Sequence, residues 1–235
     1  MGVVSLESEI ENKYELFDGS IDNVVQRVSD ALVRLKSNGW EFANMPEESE
    51  RHVNYYDTFR RNKNKRYVPT FEVYRNGQTI REVSGYSDHS YRYDYKKGRL
   101  KKRKEANLES NHRLGAKEIL YNVPDELQEK WNCKVRDKIK LKCTASAEVK
   151  HIKWNLEKNG TKIELKLDFF DIYKGSHLRE LELEIKHNGK SGKKYLKAVS
   201  AYLQDNLGLK RVYDQKYTTI MNSSPKYYKS LPRQG

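Results

Sequence analysis

The sequence predicts an α+β fold in which one domain combines roughly eight or nine antiparallel strands with a few helices. Alternation of apolar and polar residues recurs along the chain, as in "TKIELKLDFF" from Thr161. The dipeptides Asn76-Gly77 and Asn159-Gly160 lie between alternating segments, a strong signal for tight hairpins. Because no change in composition marks a linker, we expect one domain over residues 1–221 and a flexible tail over residues 222–235.

The first half of the chain begins with a predicted strand from about Ser8 to Phe17. A helix capped by Ser20 and ended by Gly39 follows, because apolar residues recur at helical spacing between them. After the segment "RHVNYYDTF", the stretch "TFEVYRNGQTIREV" is predicted to form a hairpin at Asn76-Gly77. A second hairpin, "YRYDYKKGRLKKRKE", is predicted to turn at Gly98.

The second half opens with a short helix that Pro124 is expected to start. Three separate strands are predicted next, "KIKLKCTA", "VKHIKWNLE" and "TKIELKLDFFDI", and the last two are joined at Asn159-Gly160. "LRELELEIK" is a further strand. The final element is a helix in "KKYLKAVSAYLQDNLGL", whose apolar stripe consists of Leu196, Val199, Leu203 and Leu207.

The chain is strongly basic, with 46 Lys and Arg against 33 Asp and Glu and a net charge of +13. Such an imbalance favours a polyanionic partner, which can be nucleic acid, an acidic membrane or a phosphate-rich small molecule. Two cysteines, the absence of a secretory signal and the absence of a long apolar run predict an intracellular, cytoplasmic protein without a membrane partner. No Ser-His-Asp, P-loop or dinucleotide-binding pattern occurs.

Several predicted strands carry ionised residues along one face and apolar residues along the other. In "HLRELELEIK" the charged face holds Glu180, Glu182 and Glu184, whereas in "DKIKLKC" it holds lysines alone. A solvated sheet face produces the same alternation, and charge rows usually have that origin. A closed barrel with the charged faces turned inward is the alternative, since barrels with enough strands enclose a space.

An interior of this kind would suit a particular chemistry. Clustered carboxylates bind hard divalent cations such as Mg²⁺ or Mn²⁺. Rows of Lys and Arg hold phosphate oxygens. Together these groups are the ones that phosphoryl transfer requires.

The charged strands resemble those of a known family. "EIENK", with Glu9, Glu11 and Lys13, resembles the ExExK strand that opens the CYTH domain of triphosphate tunnel metalloenzymes. "YYDTF", "KIELKLD" and "LELEI" resemble later motifs of that family and occur in the same order, over nearly the whole chain. The resemblance implies a closed eight-stranded antiparallel β-tunnel with helices packed outside, which binds a triphosphate and one or two divalent metals.

The resemblance also implies roles for individual residues. The metal ligands would be Glu9, Glu11, Glu182 and Glu184, with Glu180 as a further candidate, and Glu182 or Glu184 would orient the attacking water. Asp168 and Glu164 would face the tunnel. The phosphate-binding residues would be Lys13, Lys101, Arg103, Lys140, Lys142 and Lys153, with Lys150 as the alternative to Lys153.

The activity that the resemblance implies is metal-dependent hydrolysis of the terminal phosphate of inorganic triphosphate, a nucleotide or the 5′-triphosphate end of RNA. An adenylate cyclase on the same fold and a non-catalytic domain that binds polyphosphate or nucleic acid are the alternatives. The basic run Arg60–Arg66 permits nonspecific contact with nucleic acid, although a merely solvated surface is equally consistent with it.

Overall fold

The structure is a computed structural model that describes residues 5–75, 78–85, 90–99, 102–124, 127, 139–172, 176–186, 190–212, 216 and 220. Lys101 and the side chains of Glu9 and Arg103 lie outside what it describes, as do the predicted tail and most of the helix expected at Pro124.

Ten strands form one antiparallel sheet within the described residues. They are β1 (Ser5–Glu15), β2 (Glu47–Arg61), β3 (Tyr67–Pro69), β4 (Gln78–Ser84), β5 (Tyr91–Arg99), β6 (Lys102–Ser110), β7 (Ile139–Lys158), β8 (Thr161–Ile172), β9 (Ser176–Lys186) and β10 (Lys210–Val212). In the part of the chain that the structure describes, four helices accompany them: α1 (Ile21–Lys36), α2 (Glu72–Arg75), α3 (Ala116–Tyr121) and α4 (Lys190–Leu207). The predicted antiparallel α+β architecture is therefore confirmed.

The pairings follow the order β1-β6-β5-β4-β2-β7-β8-β9, and β9 pairs in turn with β1. β1 pairs with two strands along different parts of its length. Ser5–Glu9 pairs with β6, and Glu9–Glu15 pairs with β9. The succession of pairings thus returns to the strand at which it began. The short strands β3 and β10 pair with β2 and β1, respectively.

The largest hydrophobic core lies on the outer face of the sheet, under α1 and α4. The predicted stripe of α4, Leu196, Val199, Leu203 and Leu207, is buried there against leucines and isoleucines of β8 and β9. Ser20 caps α1 as predicted, since its side-chain oxygen accepts a hydrogen bond from the backbone N–H of Asn23. A second outer core covers β4, β5 and β6 and includes Ile119 and Leu120 of α3, a helix that the sequence interpretation missed.

The prediction of separate strands in "KIKLKCTA" and "VKHIKWNLE" is wrong, because both belong to the single strand β7. The pairing of β7 with β2 shifts by one residue: Tyr55 pairs with Ala145, whereas Tyr56 pairs with Cys143. Thr144 is the extra residue, and its hydroxyl donates a hydrogen bond to the carbonyl of Tyr55. A β-bulge therefore replaces the expected break.

The hairpin predicted around Asn76-Gly77 is also wrong, since its first arm is the helix α2. The Asp57 carboxylate accepts hydrogen bonds from the backbone N–H groups of Thr58 and Val73, at 2.6 and 3.1 Å. The Thr58 hydroxyl accepts another from the N–H of Glu72, at 2.9 Å. These side-chain acceptors satisfy the free N–H groups at the start of a helix, which a local sequence pattern cannot reveal.

The other predicted hairpins are present. Asn159 and Gly160 join β7 to β8 with φ values of 50° and 71°, which suits a two-residue turn. β5 and β6 pair as expected, but Gly98 lies within β5 opposite Arg103, so the predicted turn position is wrong.

The inner face of the sheet divides into a charged part and an apolar part. Val53, Tyr55, Val149 and Phe170 point inward and pack with Phe71 in a buried cluster, the inner apolar cluster; its remaining members are Val83, Ala145, Ala147, Ile172 and Ile220. The charged part forms the cavity described next. None of the helices in the described ranges combines the length and the hydropathy needed to cross a bilayer.

Candidate active site

A cavity of about 180 Å³ lies on the inner face of the sheet. Every strand of the order that starts and ends at β1 contributes a lining residue. The bases in its wall are Lys13, Arg51, Arg81, Arg92, Lys96, Lys153, Lys166 and Lys216, and the carboxylates are Glu105, Glu164, Asp168, Glu182 and Glu184. Three further buried carboxylates, Glu11, Asp94 and Glu180, lie beside the wall. Bases outnumber acids among the lining residues, but the three carboxylates beside the wall bring the acids to eight as well, so the cavity combines both signs of charge.

The charged faces of β1 and β9 are turned inward, so the solvated-face interpretation is wrong for these strands. Glu11, Glu182 and Glu184 have only 1, 5 and 2% of their surface exposed. Strand register explains their proximity, because Glu11 lies opposite Glu184 and Lys13 lies opposite Glu182. Buried carboxylates need compensating charge, which Lys13 of β1 and Lys166 of β8 provide.

The Lys13 ammonium group lies among three carboxylates. Its Nζ atom is 3.5 Å from Glu11 Oε1, 3.4 Å from Glu182 Oε2 and 3.8 Å from Glu180 Oε1. On the neighbouring strand, Lys166 contacts both Glu184 and Glu164. The acidic strands are therefore interleaved with ammonium groups, and these ion pairs were not part of the sequence interpretation.

Lys216, from the segment after β10, inserts a second ammonium group into this cluster. Its Nζ atom donates a hydrogen bond to Asp168, lies 3.0 Å from Glu182 Oε2 and 3.6 Å from Glu180 Oε2, and faces the ring of Phe170. Burial alone would lower the pKa of Lys216, but these carboxylates outweigh it and hold the pKa well above its ordinary value. Lys216 is thus charged in the interior.

The pKa values of Glu180 and Glu182 shift in opposite directions, although both glutamates lie in the same buried cluster. Burial raises the pKa of Glu180 above its ordinary value, because Lys13 and Lys216 are too distant to offset it fully. Burial acts on the pKa of Glu182 in the same direction, but the closer Lys216 and Lys13 lower it well below its ordinary value. Glu182 is therefore the firmly ionised member of the pair.

The opposite side of the cavity carries guanidinium groups fixed by one buried aspartate. Asp94 is fully buried on β5; it accepts hydrogen bonds from Arg81 and its Oδ1 atom lies 2.8 Å from Arg92 Nε. Lys96 pairs with Glu105 nearby, at 2.9 Å. Asp94 thus orients two arginines toward the cavity, and such fixed forks suit phosphate oxygens.

His151 lies between the two sides. Its Nδ1 atom is 2.6 Å from Asp168 Oδ1, and burial lowers its pKa despite this carboxylate. Burial would raise the pKa of Asp168, but Lys216 and His151 outweigh it and keep the pKa below its ordinary value. His151 is therefore a neutral, hydrogen-bonded member of the wall at neutral pH.

Most of the predicted site residues that the structure describes converge here. Lys13, Lys153, Glu164, Asp168, Glu182 and Glu184 line the cavity, and Glu11 and Glu180 contact Lys13. Lys153, rather than its alternative Lys150, faces inward, since Lys150 pairs with the exposed Glu48 and is not among the lining residues.

Lys140 and Lys142 are exposed and do not line the cavity, which corrects their predicted placement. They pair with Phe59 and Asp57, so the bulge leaves them on the same face of the sheet as the cavity. They lie farther along β7, past the inner apolar cluster residues Ala145 and Ala147. The apolar residues therefore separate them from the acidic strands.

The sequence interpretation missed several bases of the cavity. Arg51 shares a face of β2 with Val53, and Lys166 shares a face of β8 with Glu164, so periodicity could have suggested both. Arg81 lies in β4, the second arm of the predicted hairpin, and the sequence alone did not show which face of the strand it occupies. No strand or helix period indicates Lys216, because it lies outside the strands.

The carboxylates do not form a ready-made metal site. Among the described residues, no group of three or more His, Cys, Asp or Glu side chains is arranged to hold a metal ion. The side chain of Glu9, one of the predicted ligands, is outside the described set.

Comparison with solved structures identifies the fold. A putative adenylate cyclase from Bacillus halodurans has a TM-score of 0.53 at 16% identity, with 93% of this chain and 98% of that chain covered. PH1819 of Pyrococcus horikoshii has a TM-score of 0.54 at 15% identity, with 92% and 98% covered. The putative adenylyl cyclase HpAC1 of Hippeastrum, described as having a dominant triphosphatase activity, has a TM-score of 0.54 at 15% identity, with 96% and 98% covered.

The chain has the triphosphate tunnel fold. The resemblance seen in the sequence motifs is thereby confirmed at the level of the fold. No family model and no curated protein sequence matches the chain. The tunnel fold accounts for the return of the strand pairings to β1, and it makes the cavity between the strands the tunnel interior.

Proposed function

We propose that the protein hydrolyses the terminal phosphate of a triphosphate bound in the tunnel and that a divalent cation, Mg²⁺ or Mn²⁺, takes part. The observation that carries the proposal is the cavity wall, in which eight bases and five carboxylates from every strand of the tunnel face one another. The bases suit phosphate oxygens, and ionised acids beside them suit a cation or a water molecule. The triphosphatase activity described for HpAC1, on a similar fold, supports hydrolysis ahead of cyclisation.

The residues fit a hard cation in the chemistry of their donors. Glu11, Glu180, Glu182 and Glu184 offer carboxylate oxygens, and Glu180 Oε2 accepts no hydrogen bond from the residues that the structure describes. Lys13 lies among three of these acids, so metal binding requires its ammonium group to move toward the substrate. A bound cation would neutralise phosphate charge and polarise the phosphorus.

The chain's own residues would act in two groups. Arg51, Arg81 and Arg92, with Lys153, would bind phosphate oxygens and stabilise the charge that develops on the leaving diphosphate. Glu182, the firmly ionised glutamate, would orient the attacking water by accepting a hydrogen bond from it, and the proton of that water would leave with the released phosphate.

The proposal is tested with Glu182→Gln and Arg81→Gln, assayed for phosphate release from tripolyphosphate, ATP and triphosphate-ended RNA with Mg²⁺ or Mn²⁺. Each variant should lose about 100-fold or more in kcat/KM, the loss typical of a removed charge-stabilising group. Glu109→Gln is the matched control, because Glu109 is exposed on β6 and does not line the cavity.

A chelator should abolish phosphate release, and added Mg²⁺ or Mn²⁺ should restore it. Cyclic AMP and diphosphate from ATP, in place of phosphate, would support the cyclase alternative. Binding of tripolyphosphate without any turnover would support a non-catalytic binding domain. Full activity of both cavity variants would overturn the proposed site.

A further inference from the structure

Seven exposed cationic side chains form a patch outside the cavity, where β2, β3 and the start of β7 lie side by side. We call this patch the cationic ribbon, and we propose that it binds the phosphate backbone of single-stranded nucleic acid. Its members are Arg60, Arg61, Lys63, Lys65, Arg66, Lys140 and Lys142.

Strand register joins two distant parts of the sequence in the ribbon. Arg61 pairs with Tyr67, and Lys140 pairs with Phe59 on the same strand. The Nζ atoms of Lys140 and Lys142 lie 4.7 and 5.2 Å from the centre of the Tyr67 ring, which holds both ammonium groups beside the β2–β3 hairpin. The patch is therefore built by tertiary structure and extends well beyond the local run of Arg and Lys.

No carboxylate among the described residues neutralises the ribbon's charges. Within the described ranges, none of the seven side chains forms an ion pair with a carboxylate. Elsewhere on the surface, exposed lysines do find partners, as Lys162 does in Glu157. Uncompensated positive charge at this density attracts a polyanion and releases the counterions that surround it.

The distribution of the cations favours a flexible strand over a membrane. Arg60 and Arg61 are neighbours in β2, so their side chains point to opposite faces of the ribbon. Lys140 and Lys142 share the face of Arg61. A planar bilayer can contact only one face of the ribbon at a time, whereas a flexible nucleic-acid strand can bend around its edge and contact cations on both faces. Three arginines also provide the planar forks that match phosphate oxygens.

The inference is independent of the proposed hydrolase activity, because no member of the ribbon lines the cavity. The probe is therefore a fluorescent single-stranded RNA of about 20 nucleotides with a 5′-hydroxyl end, which presents no triphosphate to the tunnel. Single strands lose affinity with salt at a slope of about −0.7 per phosphate contact. If about five contacts form, raising NaCl from about 50 to about 200 mM should weaken binding roughly 100-fold.

The test variant changes Arg60, Arg61, Lys63, Lys65 and Arg66 to Gln, and a second variant carries Lys140→Gln with Lys142→Gln. The first should bind the RNA at least about 10-fold more weakly, and the second several-fold more weakly, with a shallower salt slope in both. The matched control neutralises five exposed lysines elsewhere and should bind like the unchanged protein: Lys117, Lys193, Lys194, Lys197 and Lys210.

Thermal unfolding verifies that all variants fold, and tripolyphosphate hydrolysis verifies that the tunnel of the five-residue variant is intact. Equal loss of RNA affinity in the ribbon variant and the control would overturn the inference, since net charge alone would then explain binding. So would binding to phosphatidylserine vesicles without binding to RNA, which would assign the ribbon to a membrane. Failure of the hydrolase proposal would instead appear as absent phosphate release with RNA binding retained.

Discussion

At the scale of single residues, Asp168 connects three elements of the candidate site. It accepts hydrogen bonds from His151 on β7 and from Lys216 beyond β10, and it lies on β8 with only 6% of its surface exposed. A buried lysine stays charged only when carboxylates compensate its desolvation. Asp168 therefore stabilises the insertion of Lys216 into the cavity.

Replacement of Asp168 by Asn should reveal this role. The free energy of unfolding should fall by about 3 kcal/mol in metal-free buffer, because Lys216 then loses its directly bonded carboxylate. Denaturant unfolding provides the measurement. Glu157→Gln, which removes the partner of exposed Lys162, should change stability by less than about 0.5 kcal/mol. Equal effects of the two substitutions would contradict the predicted role.

At the scale of elements, the side chains of Asp57 and Thr58 in the YYDT segment (Tyr55–Thr58) accept hydrogen bonds from backbone N–H groups. Asp57 is fully buried and holds the start of α2, rather than facing the cavity wall. Val73 of that helix is also fully buried, in the outer core over β4 and β5. A motif that the sequence associates with a family thus has a structural task here, which is to set the path of the chain between β3 and β4.

Asp57→Ala should lower the free energy of unfolding by about 2 kcal/mol, because two backbone N–H groups lose their acceptor. Asp57→Asn keeps an oxygen in the same position and should recover most of the loss. Chemical denaturation compares the two. Equal destabilisation by Ala and Asn would mean that charge, and not the capping of α2, is what this position requires.

At the scale of the whole molecule, a segment near the end of the chain completes the interior. Ile220 is fully buried in the inner apolar cluster with Phe71 and Phe170, four residues after Lys216 enters the charged part. One short segment therefore contributes to both halves of the inner face. Its burial couples the stability of the sheet to the position of Lys216.

Ile220→Ala should cost about 2–4 kcal/mol of unfolding free energy, the usual range for a large aliphatic side chain truncated in a core. The measurement is thermal or denaturant unfolding of the full chain. Met45→Ala is the control, since Met45 is 83% exposed and its truncation should have almost no effect. A neutral Ile220→Ala would show that the segment does not anchor the interior.

The sequence by itself determined the elements whose signals are local. Alternation predicted β1, β8 and β9, and helical spacing with Ser20 predicted α1. These elements depend on the period of side chains within one segment, which a sequence displays directly. Alternation left open whether Glu11, Glu182 and Glu184 face solvent or the interior, and the resemblance of their motifs to a known family implied the interior.

Only the tertiary structure decided which bases reach the acids. Lys216 enters from outside any strand, and Arg81 gains its orientation from Asp94 on another strand. The bulge at Thr144 keeps Lys140 and Lys142 on the cavity's face of the sheet, but the inner apolar cluster separates them from the cavity. Strand register, bulges and the paths of loops are set by packing between distant parts of the chain. Such packing leaves no periodic pattern within one segment of the sequence from which it could be predicted.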